Sequence, residues 1–445
     1  MAWGYFPILK LERNINKKLI QIFILLNYLK EKFNLNLENI RDSFYIKKNM
    51  NNLKEKYTGK KIDHMDILNI EDAAKISVGK KSIIVTGVTG QDGSHMVDYL
   101  LANTDYEIFG CVRRLSVYNH KNISHINSKR FHLINFDLID SHSIARIIEK
   151  IKPDYFINLA AQSFVGSSWD FAHQTWETNS TSTLHILEAI RLYHPTCRFY
   201  QAGSSEEFGD VAYAPQDENH PLRPRSPYGA SKAASRQLVK VWRESYGLYA
   251  VQGWLFNHEG TRRGEEFVTR KITKNIARIK NAIDRQESFA PLELGNLDAL
   301  RDWSDAEDFV DGIWKMLNQE KYWPSAISSI IPLGQEYREI KEYVLSSNET
   351  HSIREFVELA FEAAGIQGSW FGEGLREEFR QNETGRVLLV INSKFYRPAE
   401  VELLLGDSSK ARQELNWSPK SSFEDLVQKM LANDLNEYRL EHGEV

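Results

Sequence analysis

Residues 82–103 read SIIVTGVTGQDGSHMVDYLLAN, and the pattern changes once within them. Ser82 to Gly87 is a short run rich in β-branched residues, the signature of a buried strand. Gly93 to Asn103 carries apolar residues at helical spacing. Gly87, Gly90 and Gly93 fall where one pattern gives way to the other, with Gln91 and Asp92 between the last two. Glycines at a strand-to-helix turn let a backbone approach a pyrophosphate, and the first N–H groups of the helix face the charge. Spacing of the GxxGxxG kind is weak by itself. A strand before it and a helix after it make this one a dinucleotide-binding turn.

The chain repeats that unit. β-rich runs at 106–114, 130–138, 154–161, 198–205 and 249–257 alternate with helical runs at 143–152, 183–193 and from Tyr228 onward. Such alternation predicts a Rossmann-type, doubly wound parallel α/β sheet covered on both faces. It weakens after about residue 285, where 336–365 and 421–438 read as helices of a smaller, mostly helical substrate lobe. Three regions are therefore expected. Residues 1–79 form an N-terminal extension, helical or partly disordered; 80–285 a dinucleotide-binding domain with the catalytic residues; 286–445 mainly a substrate-binding lobe interleaved with it. The stretch KYWPSAISSIIPLGQ (321–335) reads as an inserted loop.

Composition narrows the function classes. The 445 residues are 42% hydrophobic and 26% charged with a net charge of −4, which fits a globular chain and argues against nucleic acid as a partner. Cys111 and Cys197 have neither metal-ligand spacing nor a disulfide framework, so no metal is expected and a reducing cytoplasm is. The extension is net basic and holds the apolar run LIQIFILL (19–26), too short to span a bilayer, which takes about 20 residues. No membrane partner is expected.

The second strand tells which dinucleotide. An NAD site expects an acid about 20 residues after the turn, to hold the ribose 2′-hydroxyl. Arg113 and Arg114 stand there instead, and two guanidiniums suit a 2′-phosphate, so the expected cofactor is NADP. Asp137 and Leu138 end the third strand and would border the adenine. Leu159, Ala160, Ala161, Gln162 and Ser163 follow the fourth strand at the carboxyl edge, where open sheets bind ligands.

The chemistry is expected further along. QAGSSEEFG (201–209) puts Ser204 and Glu206 two apart on an extended strand end, hence on one side, with Glu207 reading as a solvated neighbour. RSPYGASK (225–232) places Pro227 in the first turn of a helix and sets Tyr228 and Lys232 on one face, one turn apart. A phenol with a pKa of about 10 is too weak a base at neutral pH. An adjacent ammonium and a cationic nicotinamide favour the phenolate. A glycine-rich first turn, a strand-end Ser and a YxxxK 24 residues later resemble the extended short-chain dehydrogenase/reductases. That resemblance implies that Ser204 holds a sugar hydroxyl near Tyr228, while Glu206 suits removal of a carbon-bound proton beside a new ketone.

This layout resembles the extended short-chain dehydrogenase/reductases, and from about Ser82 to Leu431 the chain is similar to the GDP-mannose 4,6-dehydratases. TGVTGQDGS, NLAAQS, RSPYGASK, LFNHEGTRRGEEFVTRKI, LGNLDALRDW and FYRPAEVELLLGD carry the resemblance. It implies that Tyr228 deprotonates the sugar 4-hydroxyl while C4 is oxidised by NADP. Glu206 takes the C5 proton and assists loss of the C6 hydroxyl as water, and the stored hydride returns to C6. It implies cofactor contacts at Lys232, His258 and Arg263 and substrate contacts at Asn257 and Lys271. Arg301, Arg397 and Glu400 would grip the diphosphate and the GDP end. A homodimer or homotetramer is also implied. Ser204 stands where many relatives have threonine, Phe164 where the family usually shows histidine, and Leu300 where it shows a basic residue. The GDP-sugar is thus left open, a GDP-heptose or another GDP-hexose being alternatives. An NDP-sugar 4-epimerase and a scaffold that lost catalysis are the competing classes.

Overall fold

The computed structural model describes residues 66–117, 119–319, 340–395 and 403–443. The readings made for 1–65 and 321–335, and those for Arg397 and Glu400, lie outside these residues.

Eight strands form one all-parallel sheet, in the order β1-β4-β3-β2-β5-β6-β7-β12. These are β1 (Ile67–Leu68), β2 (Ser82–Thr86), β3 (Glu107–Val112), β4 (Phe131–Asn135), β5 (Tyr155–Asn158), β6 (Arg198–Ala202), β7 (Ala250–Leu255) and β12 (Tyr343–Leu345). Every residue of β2, β3, β5 and β7 is buried, as expected for a sheet covered on both faces. Helices α1 (Ile70–Ser77), α2 (Gln91–Asn103), α3 (Ser141–Ile151), α4 (Ser182–Tyr193) and α5 (Pro227–Tyr246) alternate with the early strands. One core of Ile84, Phe109, Ile134, Phe156 and Phe199 packs beneath Ile144, Ile148, Ile186 and Val239 from the helices. Strand order reverses between β2 and β5, and such a switch point opens a crevice at the carboxyl ends of the strands.

Two boundaries differ from the sequence reading. Ile67–Leu68 pairs with Leu133–Ile134 and α1 packs on the same core, so these residues, assigned above to the extension, extend the sheet. The run 336–365, read as helix, supplies the opposite edge strand, β12, and then β13 (His351–Ser352); its helix, α8, spans only Ile353–Ala363. The physical reason is local. Tyr343, Val344 and Leu345 are all buried beside β7, Asn348 breaks the chain direction at φ 72°, and the Ser352 hydroxyl caps the true helix start.

A second core joins α6 (Val268–Asp284), α8 and α9 (Phe423–Glu441) through Ile272, Ile276, Phe356, Phe361, Leu426 and Met430. This lobe also holds a four-stranded sheet, β14 (Gly368–Phe371), β15 (Glu378–Gln381), β16 (Val387–Ile391) and β9 (Leu292–Leu294), that the sequence reading did not anticipate. Return of the chain from this region to β12 interleaves the two lobes.

Candidate active site

The glycine turn has the geometry a phosphate needs. A Cβ at Gly93 would lie 2.2 Å from the Gly87 carbonyl oxygen, so the first turn of α2 closes on the end of β2 only without one. Gly90 caps α2 with no side-chain hydrogen bond, leaving the helix N–H groups pointing outward. Beside the turn lies a cleft of about 940 Å3. It is lined by Gly87, Gly90, Gln91, Asp92 and Gly93, by Arg113, by Asp137 and Leu138, by Leu159 to Ser163, and by Arg263. Arg114 is exposed and stands outside the lining. A dinucleotide fits this donor set: bare N–H groups for a diphosphate at the switch point, and a guanidinium at the end of β3.

His258 takes a different place from the expected cofactor contact. It lies outside the lining, behind the turn, with Nδ1 2.7 Å from the Phe256 carbonyl oxygen and Nε2 3.0 Å from the Asp92 carboxylate. Burial works against both charges, yet their attraction wins: the imidazole is raised above its ordinary value and the Asp92 carboxyl held well below the carboxylate range. Gln91 donates to the His258 carbonyl at 3.0 Å, so His258 braces the turn.

A buried polar ladder runs from that turn across the sheet. Thr86, Asn158, Gln201 and Gln252 stand in register on four adjacent strands. Thr86 donates to Asn158 at 2.6 Å, Asn158 to Gln201 at 2.8 Å, and Gln252 to Glu207 at 2.8 Å. Sequence reasoning missed these residues, although their polar side chains inside otherwise apolar strands were the signal.

The ladder ends at Glu207, beside the residues expected to be catalytic. Ser204, Glu206, Tyr228 and Lys232 stand outside the cleft lining, and the first two come together by a route other than the one read from the sequence. Ser205–Glu207 is a 3-10 turn with Ser204 as its cap, so Ser204 and Glu206 come together through a turn rather than strand alternation. The Ser204 hydroxyl accepts from the Glu206 N–H at 3.2 Å. Helix α5 starts at Pro227, capped by Ser226, and its first turn sits directly on that segment. A Cβ at Gly229 would lie 2.5 Å from the Glu206 carbonyl oxygen. This contact seats Tyr228 beside the turn, where Ser204 favours the phenolate and the Glu206 charge opposes it.

Burial raises the Tyr228 phenol well above its ordinary value, and the carboxylates of Glu206 and Glu207 add to this; Ser204 and the Arg263 guanidinium oppose it. Lys232, expected to favour the phenolate, lies near the ring. Its Nζ sits 5.8 Å from the Tyr228 ring centroid and donates to the Ala202 carbonyl at 2.9 Å, and burial draws its own pKa down to about 8. Glu207, read as solvated, is fully buried.

The remaining expected contacts lie on the second lobe and its approach. Asn257 starts β8 (Asn257–Glu259), which pairs with β11 (Trp303–Asp305), and its buried Oδ1 has no hydrogen-bond partner among the described residues. Lys271, on α6, is half-buried with Nζ 3.3 Å from the Phe395 ring centroid, and burial pulls it to about 8. Arg301 is buried in β10 (Leu300–Arg301) between β13 and β17 (Leu403–Leu404). Phe164 packs edge-on against Phe267, 6.0 Å between ring centroids, and the Arg263 guanidinium covers the Phe267 ring at 3.6 Å. Among the described residues no cluster of His, Cys, Asp and Glu could hold a metal, and no helix is long and apolar enough to cross a membrane.

Comparison with known proteins agrees with this geometry. Residues 84–430 match the family model described as GDP-mannose 4,6 dehydratase. The chain is 44% identical over 364 residues to a Drosophila melanogaster protein named GDP-mannose 4,6 dehydratase, covering 80% of this chain and 86% of that one. A Homo sapiens protein of the same name is 40% identical, covering 79% and 91%. Among solved structures, that of RMD from Pseudomonas aeruginosa complexed with NADPH superposes with a TM-score of 0.60 at 21% identity, covering 80% of this chain and all of that one, a likeness of fold. On the extent of these matches, the chain belongs to the GDP-mannose 4,6-dehydratase family.

Proposed function

We propose that this protein is a GDP-mannose 4,6-dehydratase, a lyase that converts GDP-mannose to GDP-4-keto-6-deoxymannose with loss of water. NADP, when bound, supplies the hydride acceptor for sugar C4 and the donor for C6. The observation that carries the reading is the gathering of three groups at one strand end: Ser204 and Glu206 share one turn, and Tyr228 at the start of α5 is seated on that turn through Gly229. Ser204 holds the 4-hydroxyl, and Tyr228 receives its proton as C4 is oxidised. The new ketone acidifies C5–H; Glu206 removes that proton and passes it to the C6 hydroxyl, which departs as water. The proton held by Tyr228 since C4 oxidation is available to C5 when C6 is reduced. A 4-epimerase has no use for the carboxylate. Incubation with GDP-mannose and catalytic NADP is expected to yield a product lighter by one water without NADPH build-up. Stoichiometric NADPH, or a product of unchanged mass, contradicts the reading.

Asn257 and Lys271 are proposed to contact the sugar nucleotide, and Arg301, with Arg397 and Glu400, its diphosphate and guanosine ends. Lys232 and Arg263 are proposed to hold NADP, with His258 acting through Asp92 and Gln91. A dimer or tetramer belongs to the same proposal; exposed Leu192 on α4 with Val241 and Tyr246 on α5 supports it. A second reading, a different GDP-hexose or a GDP-heptose as substrate, has the Phe164–Phe267 contact behind it, since an apolar ring there replaces a hydrogen-bonding imidazole. Turnover of several GDP-sugars side by side separates the two.

Two cofactor predictions follow from the cleft. Gly93→Ala forces a methyl into the Gly87 carbonyl, so NADP affinity is expected to fall about 100-fold, or about 3 kcal/mol, by fluorescence titration. Arg113→Ala removes a charge-assisted contact of about 2 kcal/mol, so NADP binding should weaken while NAD binding stays constant.

A further inference from the structure

We infer that Glu207 is a positioning residue of the catalytic centre: its buried carboxyl fixes the backbone of Ser204 so that the serine hydroxyl meets the Tyr228 phenol. The inference rests on the dehydratase reading for the identity of the reaction. Glu207 Oε1 accepts two hydrogen bonds, from the Ser204 N–H at 2.9 Å and from Gln252 Nε2 at 2.8 Å. Gln252 belongs to β7, so the carboxyl ties the turn to the rigid sheet. Ser204 is thereby held at both ends, its N–H by Glu207 and its hydroxyl by the Glu206 N–H.

Helix capping alone does not account for such a group. Reciprocal caps of the same kind at Ser352/Glu355 and Ser422/Asp425 start helices of 11 and 19 residues with exposed acids. At Ser204/Glu207 the capped element is a turn of 3 residues, and the acid is 0% exposed. Its second oxygen, Oε2, is buried without a hydrogen-bond partner among the described residues. Burial pushes this carboxyl up to about 8, against the Ser204 N–H and the charges of Lys232 and Arg236. An apolar side chain would avoid that cost. A buried acid kept despite it, one residue from a catalytic carboxylate, points to geometry that the reaction needs.

The test compares Glu207→Met, which fills the space without an acceptor, with Glu207→Gln, which keeps Oε1. In the full-length, NADP-loaded enzyme, Glu207→Met should lose about 100-fold in kcat through misplacement of Ser204. Its KM for GDP-mannose and its NADP affinity should be kept. Glu207→Gln should recover most of the activity. Deuterium at sugar C4 should slow Glu207→Met more than wild type, because C4 oxidation becomes limiting. Retention of kcat within about twofold in Glu207→Met overturns the proposal. So does an equal loss in both variants tracking a fall in Tm. A wild-type protein that forms no dehydrated product overturns the reaction reading instead.

Discussion

Tyr228→Phe is expected to lower kcat about a thousandfold while leaving NADP and sugar-nucleotide binding almost unchanged. The loss is large because the other groups are assigned elsewhere: Ser204 holds the 4-hydroxyl, Glu206 serves C5 and Lys232 donates to the Ala202 carbonyl. Phenylalanine fills the same buried space, so fold and affinity persist. Stopped-flow absorbance of reduced nicotinamide is the check, and none should appear in the variant. Burial sets Tyr228 high within the protein alone, so proton removal depends on positive charge brought to its ring, from Arg263 already present and from the oxidised nicotinamide. Unaltered turnover in Tyr228→Phe would favour the scaffold alternative.

Glu206→Gln should lower product formation about 100-fold or more, yet fail at a different step. Oxidation at C4 requires Ser204 and Tyr228, and the glutamine keeps the backbone N–H that holds the Ser204 hydroxyl. Reduced nicotinamide should therefore form in a single turnover and remain, in equilibrium with return of the hydride to C4, because C5–H is not removed and no acceptor arises at C6. A 4-epimerase would barely notice the change. The two variants thus separate oxidation from elimination by one absorbance trace.

Much of this site was legible in the sequence because it is local. Gly87 to Gly93, Ser204 to Glu206 and Tyr228 to Lys232 are short stretches that stand out by residue type, although Ser204 and Glu206 meet through a turn and not by strand spacing, and the parallel sheet follows from alternation. What escaped was set by distant partners. β12 is 3 residues long and is a strand because β7 lies beside it, while the surrounding residues have helical spacing. β14 to β16 pair with one another and with β9 from far upstream, which no local pattern records. Glu206 and Glu207 are the same residue type side by side; a one-turn twist of backbone sends the second into the core and makes it the foot of the polar ladder. The Lys232 ammonium donates to the Ala202 carbonyl, a partner that spacing did not reveal.

The central claim is that one sugar carbon is oxidised and another reduced within a single active site, with water leaving between the two events. GDP-mannose carrying deuterium at C4 tests it directly by mass spectrometry and NMR of the product. The account predicts a molecule lighter by one water that retains the label, now at C6. Label passed to the bulk cofactor, or still at C4, contradicts it.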